Sequence, residues 1–351
     1  MKVFLLILLA VIATALIYSY KKEPFLNFSN DKQANMPQEN NLDGVLDTDN
    51  PLSIEALGKM SFPGSELKIE ETLESGANYN RYRASYKSEG LTIYGLLTVP
   101  VTEKPSSGFP IIIFNHGYIP PKEYQTTERY VAYQDAFARD GYITFKSDYR
   151  GHGESEGDAA TGGYGSNGYT IDVLNALASV RKLKEADPKS VGMWGHSMGG
   201  FITLRAMVVD SDIKAGVIWA GVVASYPDLI NNWRRRISPP PPTPTGGLRG
   251  WRNALVEQYG KPDDTNPFWK TLSANNYLSQ ISGPLQLHHG TADHSVPVAF
   301  SQKLEKQMKS AGKGVELYVY EGDDHNLAGN LGIVLNRSVE FFDRYLKASP
   351  D

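Results

Sequence analysis

From Pro110 onward, short apolar runs recur along the chain, each followed by a polar loop and a longer segment with helical spacing. The runs Ile111–Phe114, Tyr142–Phe145, Val191–Trp194, Ala215–Ala220, Leu285–Leu287 and Val315–Tyr320 are short and bounded by polar loops, and they read as buried strands. The segments 127–140, 170–184, 199–208, 298–311 and 331–346 read as helices. Such alternation predicts an α/β fold with a mainly parallel sheet and helices on both faces. Upstream, Tyr79–Tyr86 alternates as a strand, Lys87–Gly90 reads as a turn and Leu91–Val99 as a second strand. This antiparallel hairpin is expected at the sheet edge.

Two segments depart from that rhythm. Roughly sixty residues separate the strand near Ala220 from the one near Leu285, far more than an ordinary connection. They include Pro239–Pro242, the run Arg234-Arg235-Arg236, and Trp233, Trp251 and Trp269. We expect a lid insertion at about 222–282, with the prolines as a stiff connector and the tryptophans as apolar walls for a substrate pocket. The second segment is the N-terminus. No charge interrupts Val3–Tyr20, which as a helix would span about 27 Å, close to the thickness of a bilayer core. Membrane association through residues 3–20 and an extracytoplasmic location follow as expectations. Ala13-Thr14-Ala15 also fits a signal-peptide cleavage site, so residues 1–22 read as an anchor or a signal. Residues 23–60 are polar and aperiodic and read as a tether, leaving 61–351 for the globular domain.

Composition narrows the chemistry. A net charge of −4 gives no basic field for a nucleic-acid partner. The absence of cysteine excludes disulfides, zinc–thiolate sites and a cysteine nucleophile. His288 and His289 resemble a metal pair, but adjacent strand residues point to opposite faces, so neither a metal nor a cofactor is expected.

The sharpest signal is Gly195-His196-Ser197-Met198-Gly199-Gly200, a G-x-S-x-G motif entered by the strand Val191–Trp194 and left by the apolar helix Phe201–Val208. A turn this tight strains the backbone at the serine and needs glycines on either side. It lifts the hydroxyl of Ser197 to the carboxyl edge of the sheet. Serine is a weak nucleophile and needs a base. His325, in the polar loop Gly322–Asn326, and Asp293, at the end of His289–Asp293, both follow strands and so reach the same edge. The order Ser, Asp, His is that of an α/β-hydrolase triad. Asp323 and Asp324 are rival acids, but they stand too close to His325 in sequence to accept from its ring. Asn115-His116-Gly117-Tyr118 follows the strand Ile111–Phe114, so backbone N–H groups of Tyr118 and Met198 are candidate oxyanion donors. The Tyr118 hydroxyl is an open alternative. His116 and His196 read as structural, His152 as a turn stabiliser, and the arginines at 234–236 as a solvated face.

The elbow, the His289–Asp293 loop, the Asp323-Asp324-His325 loop and the turn Asp148-Tyr149-Arg150-Gly151 resemble the catalytic domain of the prolyl oligopeptidase family over roughly residues 80–348. That resemblance implies Ser197, Asp293 and His325 as triad and peptide bonds as the substrate class. The large N-terminal propeller of many members is not expected here, and a lid-like insertion is. Together the readings predict a serine hydrolase acting on small peptides, amides or esters. A carboxylic-ester hydrolase of acetyl or feruloyl type stays open, as does a catalytically silent binding protein on the same fold.

Overall fold

In a computed structural model that describes residues 50–233 and 246–347, the apolar runs join into one nine-stranded sheet. In chain order the strands are β1 (Lys68–Leu73), β2 (Tyr79–Ser88), β3 (Leu91–Pro100), β4 (Phe109–Asn115), β5 (Ile143–Ser147), β6 (Ala186–His196), β7 (Ala215–Trp219), β8 (Leu285–Gly290) and β9 (Val315–Tyr320). The helices are α1 (Ile54–Gly58), α2 (Val131–Arg139), α3 (Gly168–Val180), α4 (Met198–Val209), α5 (Tyr226–Asn231), α6 (Gly246–Tyr259), α7 (Pro267–Leu272), α8 (Val298–Ser310) and α9 (Leu331–Leu346).

Across the sheet the order is β1-β2-β3-β5-β4-β6-β7-β8-β9. Pairings from β1 to β5 across β3 are antiparallel, and every pairing from β5 to β9 is parallel. The chain leaves β4 for β5 on one side, then returns to lay β6 on the other. The loops following β4 and β6 therefore diverge at adjacent carboxyl ends, and an open sheet forms its ligand crevice at such a switch point.

Helices cover both faces, so β4, β5, β7 and β8 are buried at every position. Alternate side chains of β4 divide between two cores. Ile111 and Ile113 join the cluster built with α3, α4 and α8, whereas Ile112 and Phe114 meet Trp194, Trp219 and the α9 residues Phe341 and Phe342.

The strand pattern holds to within a few residues, with three departures. The hairpin β2–β3 is not the edge, because β1 pairs outside it. Residues 50–60, expected in a tether, are folded: Ser53 Oγ caps the Ala56 N–H of α1, and Ile54 and Leu57 are buried. The second helix begins at Val131 rather than Thr127, because Arg129 and Tyr130 stand at φ 40° and 60°. The rest of the tether, residues 1–22, Arg234–Arg236 and Pro239–Pro242 lie outside the described residues. Among the described residues no helix is long and apolar enough to cross a membrane.

The described part of the insertion supplies α5, α6 and α7. Its tryptophans pack inward: Trp269 is fully buried, and Trp233 and Trp251 meet the ring of Tyr164. Behind them, the buried guanidinium of Arg205 on α4 donates to Leu272 O at the end of α7 (2.7 Å), to Leu52 O (3.1 Å) and to Asn167 Oδ1.

The turn after β5 is locked by a buried ion pair. Asp172 on α3 accepts from Arg150 Nη2 at 2.7 Å and Nε at 3.0 Å, from the Arg150 backbone N–H, and from Ser88 Oγ. Glu89 holds the outer side of the same guanidinium from a half-exposed position. Removing one partner of a buried pair strands the other charge, so Asp172→Ala should cost about 3–5 kcal/mol in urea unfolding. Glu89→Gln should cost less than about 1 kcal/mol. The reverse ranking would show that the buried partner is not the one that matters.

Candidate active site

Ser197 is the residue between β6 and α4, with φ 55° and ψ −116°, far from the usual regions for a serine. Neighbouring strands hold it there. Its N–H donates to Trp219 O on β7 (3.0 Å), and its carbonyl accepts from Gly200 N (3.0 Å) and Val222 N (2.9 Å). The first turn of α4 presses against the end of β4, where a Cβ on Gly199 would lie 1.8 Å from Asn115 O. No side chain fits at position 199. The N–H of Met198, at the helix start, has no carbonyl of its own helix to meet.

His325 reaches the same edge from the loop after β9, and Asp293 from the loop after β8. His325 Nδ1 lies 2.7 Å from Asp293 Oδ2. A carboxylate can only accept, so Nδ1 carries the proton and Nε2 keeps its lone pair. The Asp293 side chain is fully buried, and burial alone would raise its pKa. Hydrogen bonds from His289 and His325 and from the Val296 N–H instead hold it well below the usual carboxylate range. Its Oδ1 accepts from Ser295 N (2.7 Å) and Val296 N (2.9 Å), which fixes the carboxylate plane.

The rival acids are otherwise engaged. Asp323 accepts from the N–H groups of Asp324 and Gly329 and from the Asn330 amide, and Asp324 accepts from the N–H groups of Asn326 and Ala328. Both shape the loop that carries His325.

Ser197 and His325 line a cleft of ≈ 280 Å³ together with Gly117, Tyr118, Arg129, Tyr130 and His196. The loop after β4 closes in because position 117 is glycine: a Cβ there would stand 3.1 Å from Ser197 Cβ and 2.8 Å from Tyr130 Oη. Tyr118, the next residue, lines the same cleft as Ser197. The insertion's tryptophans are not among the residues lining this cleft; Trp233 and Trp251 pack on Tyr164.

Three residues have a place at the site that the sequence did not signal. His289 Nε2 approaches Asp293 Oδ2 at 3.1 Å, while its Nδ1 meets Ser301 Oγ on α8. His288 turns to the other face, against Tyr318 and Tyr320. Tyr130 links two loops: it accepts from Gly117 N (3.0 Å) and donates to His196 Nδ1 (2.7 Å), and His196 Nε2 donates to His325 O (2.9 Å). Arg129 is the third. His116 is stacked between Tyr124 and Tyr149, and His152 leans on Arg150 O within its turn. Among the described residues no cluster of three or more His, Asp or Glu side chains is placed to hold a metal ion.

Residues 129–349 match the model of the prolyl oligopeptidase family. The uncharacterized peptidase YuxL of Bacillus subtilis (strain 168) is 26% identical over 245 residues, covering 68% of this chain. This chain spans only 34% of that relative. Among solved structures, an acylaminoacyl peptidase of Pyrococcus horikoshii superposes with a TM-score of 0.62 at 23% identity, over 78% of this chain and 43% of its own. The acetyl xylan esterase of Paenibacillus sp. R4 superposes with a TM-score of 0.63 at 17% identity, over 89% of this chain and 100% of its own. At those identities the two structures establish the fold alone.

Burial above all, and then the neighbouring His325 imidazole, lower the pKa of His196 to about 3 from an ordinary 6.5. A depressed folded pKa means that the unfolded chain binds the extra proton first, so this stability is complete above pH 6.5 and is lost as pH falls toward 3. Urea midpoints should therefore drop less steeply between pH 6.5 and about 4.5 in His196→Gln than in the wild type. Parallel slopes would remove His196 from the acid response.

Proposed function

The chain belongs to the prolyl oligopeptidase family, and on that premise we propose that it is a serine hydrolase cleaving small peptide, amide or ester substrates through an acyl-enzyme. Ser197 attacks the carbonyl carbon while His325 Nε2 takes the hydroxyl proton. The proton then passes to the leaving group, and a water repeats the sequence to release the acid. Asp293 keeps His325 in the tautomer that leaves Nε2 free and stabilises the imidazolium as it forms. The observation that carries this reading is the 2.7 Å bond from His325 Nδ1 to a buried, ionised Asp293, with both Ser197 and His325 on one cleft.

Charge developing on the substrate oxygen would be met by backbone N–H groups of Met198 and Tyr118. Fixed donors of this kind contribute about 3–4 kcal/mol each to the transition state. The cleft volume, at the small end for ligand sites, supports short acyl or aminoacyl groups. An ester-hydrolase reading has its own support, since the acetyl xylan esterase is matched along its entire length. Turnover of aminoacyl-naphthylamides against p-nitrophenyl and acetylated-sugar esters decides between the two. For residues 1–22 we propose an anchor or signal through the run 3–20, so the full chain should sediment with membranes; a mature form starting after Ala15 would indicate cleavage.

Ser197→Ala should abolish fluorophosphonate labelling and lower turnover by about 10⁴–10⁶ while the chain stays folded. Near-normal activity in that variant would end the assignment. Asp293→Asn should cost about 10⁴ through the wrong histidine tautomer. A larger loss in Asp324→Asn would mean that the acid has been misidentified.

A further inference from the structure

Arg129 is exposed, yet it lines the same cleft as Ser197 and His325. Among the described residues lining that cleft it carries the only permanent charge, and no carboxylate side chain lies among them. Among the described residues no ion pair engages its guanidinium. Asp324, beside His325 on the loop after β9, has an oxygen already committed to the Asn326 and Ala328 N–H groups.

The backbone that presents Arg129 is held in an unfavourable shape. Arg129 and Tyr130 are successive non-glycine residues in the left-handed region, at φ 40° and 60°. Such strain persists only where its surroundings over-determine it, and it gathers at ligand clamps. Here the surroundings are explicit. The fully buried Lys146 on β5 sends its ammonium to Glu128 O (2.8 Å) and Arg129 O (2.9 Å), and Tyr130 is pinned through its hydroxyl to Gly117 and His196. A lysine is rarely buried without a carboxylate in its grip; this one clamps the two carbonyls that set the direction of the loop. The loop is thus fixed at both ends of the strained pair, and its free guanidinium stands at the cleft where substrate must bind.

We propose that Arg129 receives an anionic group of the substrate, so that the site selects esters or amides bearing a carboxylate or similarly compact anion over neutral ones of the same size. This rests on the hydrolase reading of Ser197. The guanidinium fork pairs with a carboxylate through two parallel N–H bonds, and Tyr118, Tyr130 and Tyr133 line the cleft beside it. Because Arg129 is exposed, the preference is screened by salt.

The test compares matched pairs on the full chain. Mono-p-nitrophenyl glutarate against p-nitrophenyl butyrate places the anion on the acyl side, and 4-acetoxybenzoate against phenyl acetate places it on the leaving group. In at least one pair, the anionic-to-neutral ratio of kcat/KM should fall about tenfold or more in Arg129→Gln, the loss expected for one charge-assisted contact. Arg129→Lys should retain part of it, and rising salt should erode the wild-type ratio. A ratio unchanged by Arg129→Gln in both pairs overturns the proposal. Absence of both turnover and fluorophosphonate labelling would defeat the hydrolase reading instead. Arg129 is then read by binding: glutarate should bind Ser197→Ala more tightly than glutaramide by NMR titration, and adding Arg129→Gln should abolish the difference. Equal binding of the two ligands, or a difference that survives Arg129→Gln, refutes it.

Discussion

The site depends on one strained residue. At φ 55° and ψ −116°, Ser197 holds a backbone conformation that a serine does not choose, and the molecule enforces it from three directions. β7 takes its N–H through Trp219 O, the start of α4 and Val222 satisfy its carbonyl, and the end of β4 packs so closely that only glycine fits at 199. Each constraint comes from a different part of the sheet or its loops. The turn is therefore a property of the assembled fold rather than of the six residues that compose it, and the hydroxyl is presented only once β4, β6 and β7 are in register.

Around that turn the loops after β4 and β9 are tied together by polar groups. Gly117, Tyr130, His196 and His325 form a continuous hydrogen-bonded path from the loop after β4 to the loop after β9. The path requires a neutral His196, accepting at Nδ1 and donating at Nε2, and burial ensures that it stays neutral. Asp293 is the opposite case: it is kept charged in a buried place because every oxygen lone pair that matters is met by a donor. Histidine and aspartate are thus set apart in charge by their surroundings, which is what a proton relay needs.

Much of this was legible beforehand, for a physical reason. Ser197, Asp293 and His325 lie directly after strands whose apolar runs announce themselves, so their placement on one edge follows from topology. β1 was not visible, because Lys-Ile-Glu-Glu-Thr-Leu is largely solvated and carries no buried face to read. Arg129 and Tyr130 escaped because left-handed backbone at a non-glycine residue leaves no trace in composition; a buried lysine on another strand imposes it. His289 was read only against its neighbour His288, and strand alternation correctly separated their faces without revealing that a carboxylate four residues on would turn back to one of them. The tryptophans of the insertion show the converse. An aromatic residue near a site serves a pocket wall or a core equally well, and only packing tells which.

Arg205 extends these ties to the far side of the nucleophile. A fully buried guanidinium on α4 donates to the last turn of α7, to the segment before α1 and to Asn167 at the head of α3. None of those acceptors is charged, so lifting any one segment would leave a buried cation poorly solvated. Local opening of α7 or of residues 52–58 is thereby discouraged unless the helix behind Ser197 loosens as well. The segments behave as one cooperative unit, and drift at the molecule's periphery cannot proceed far without being felt at the serine.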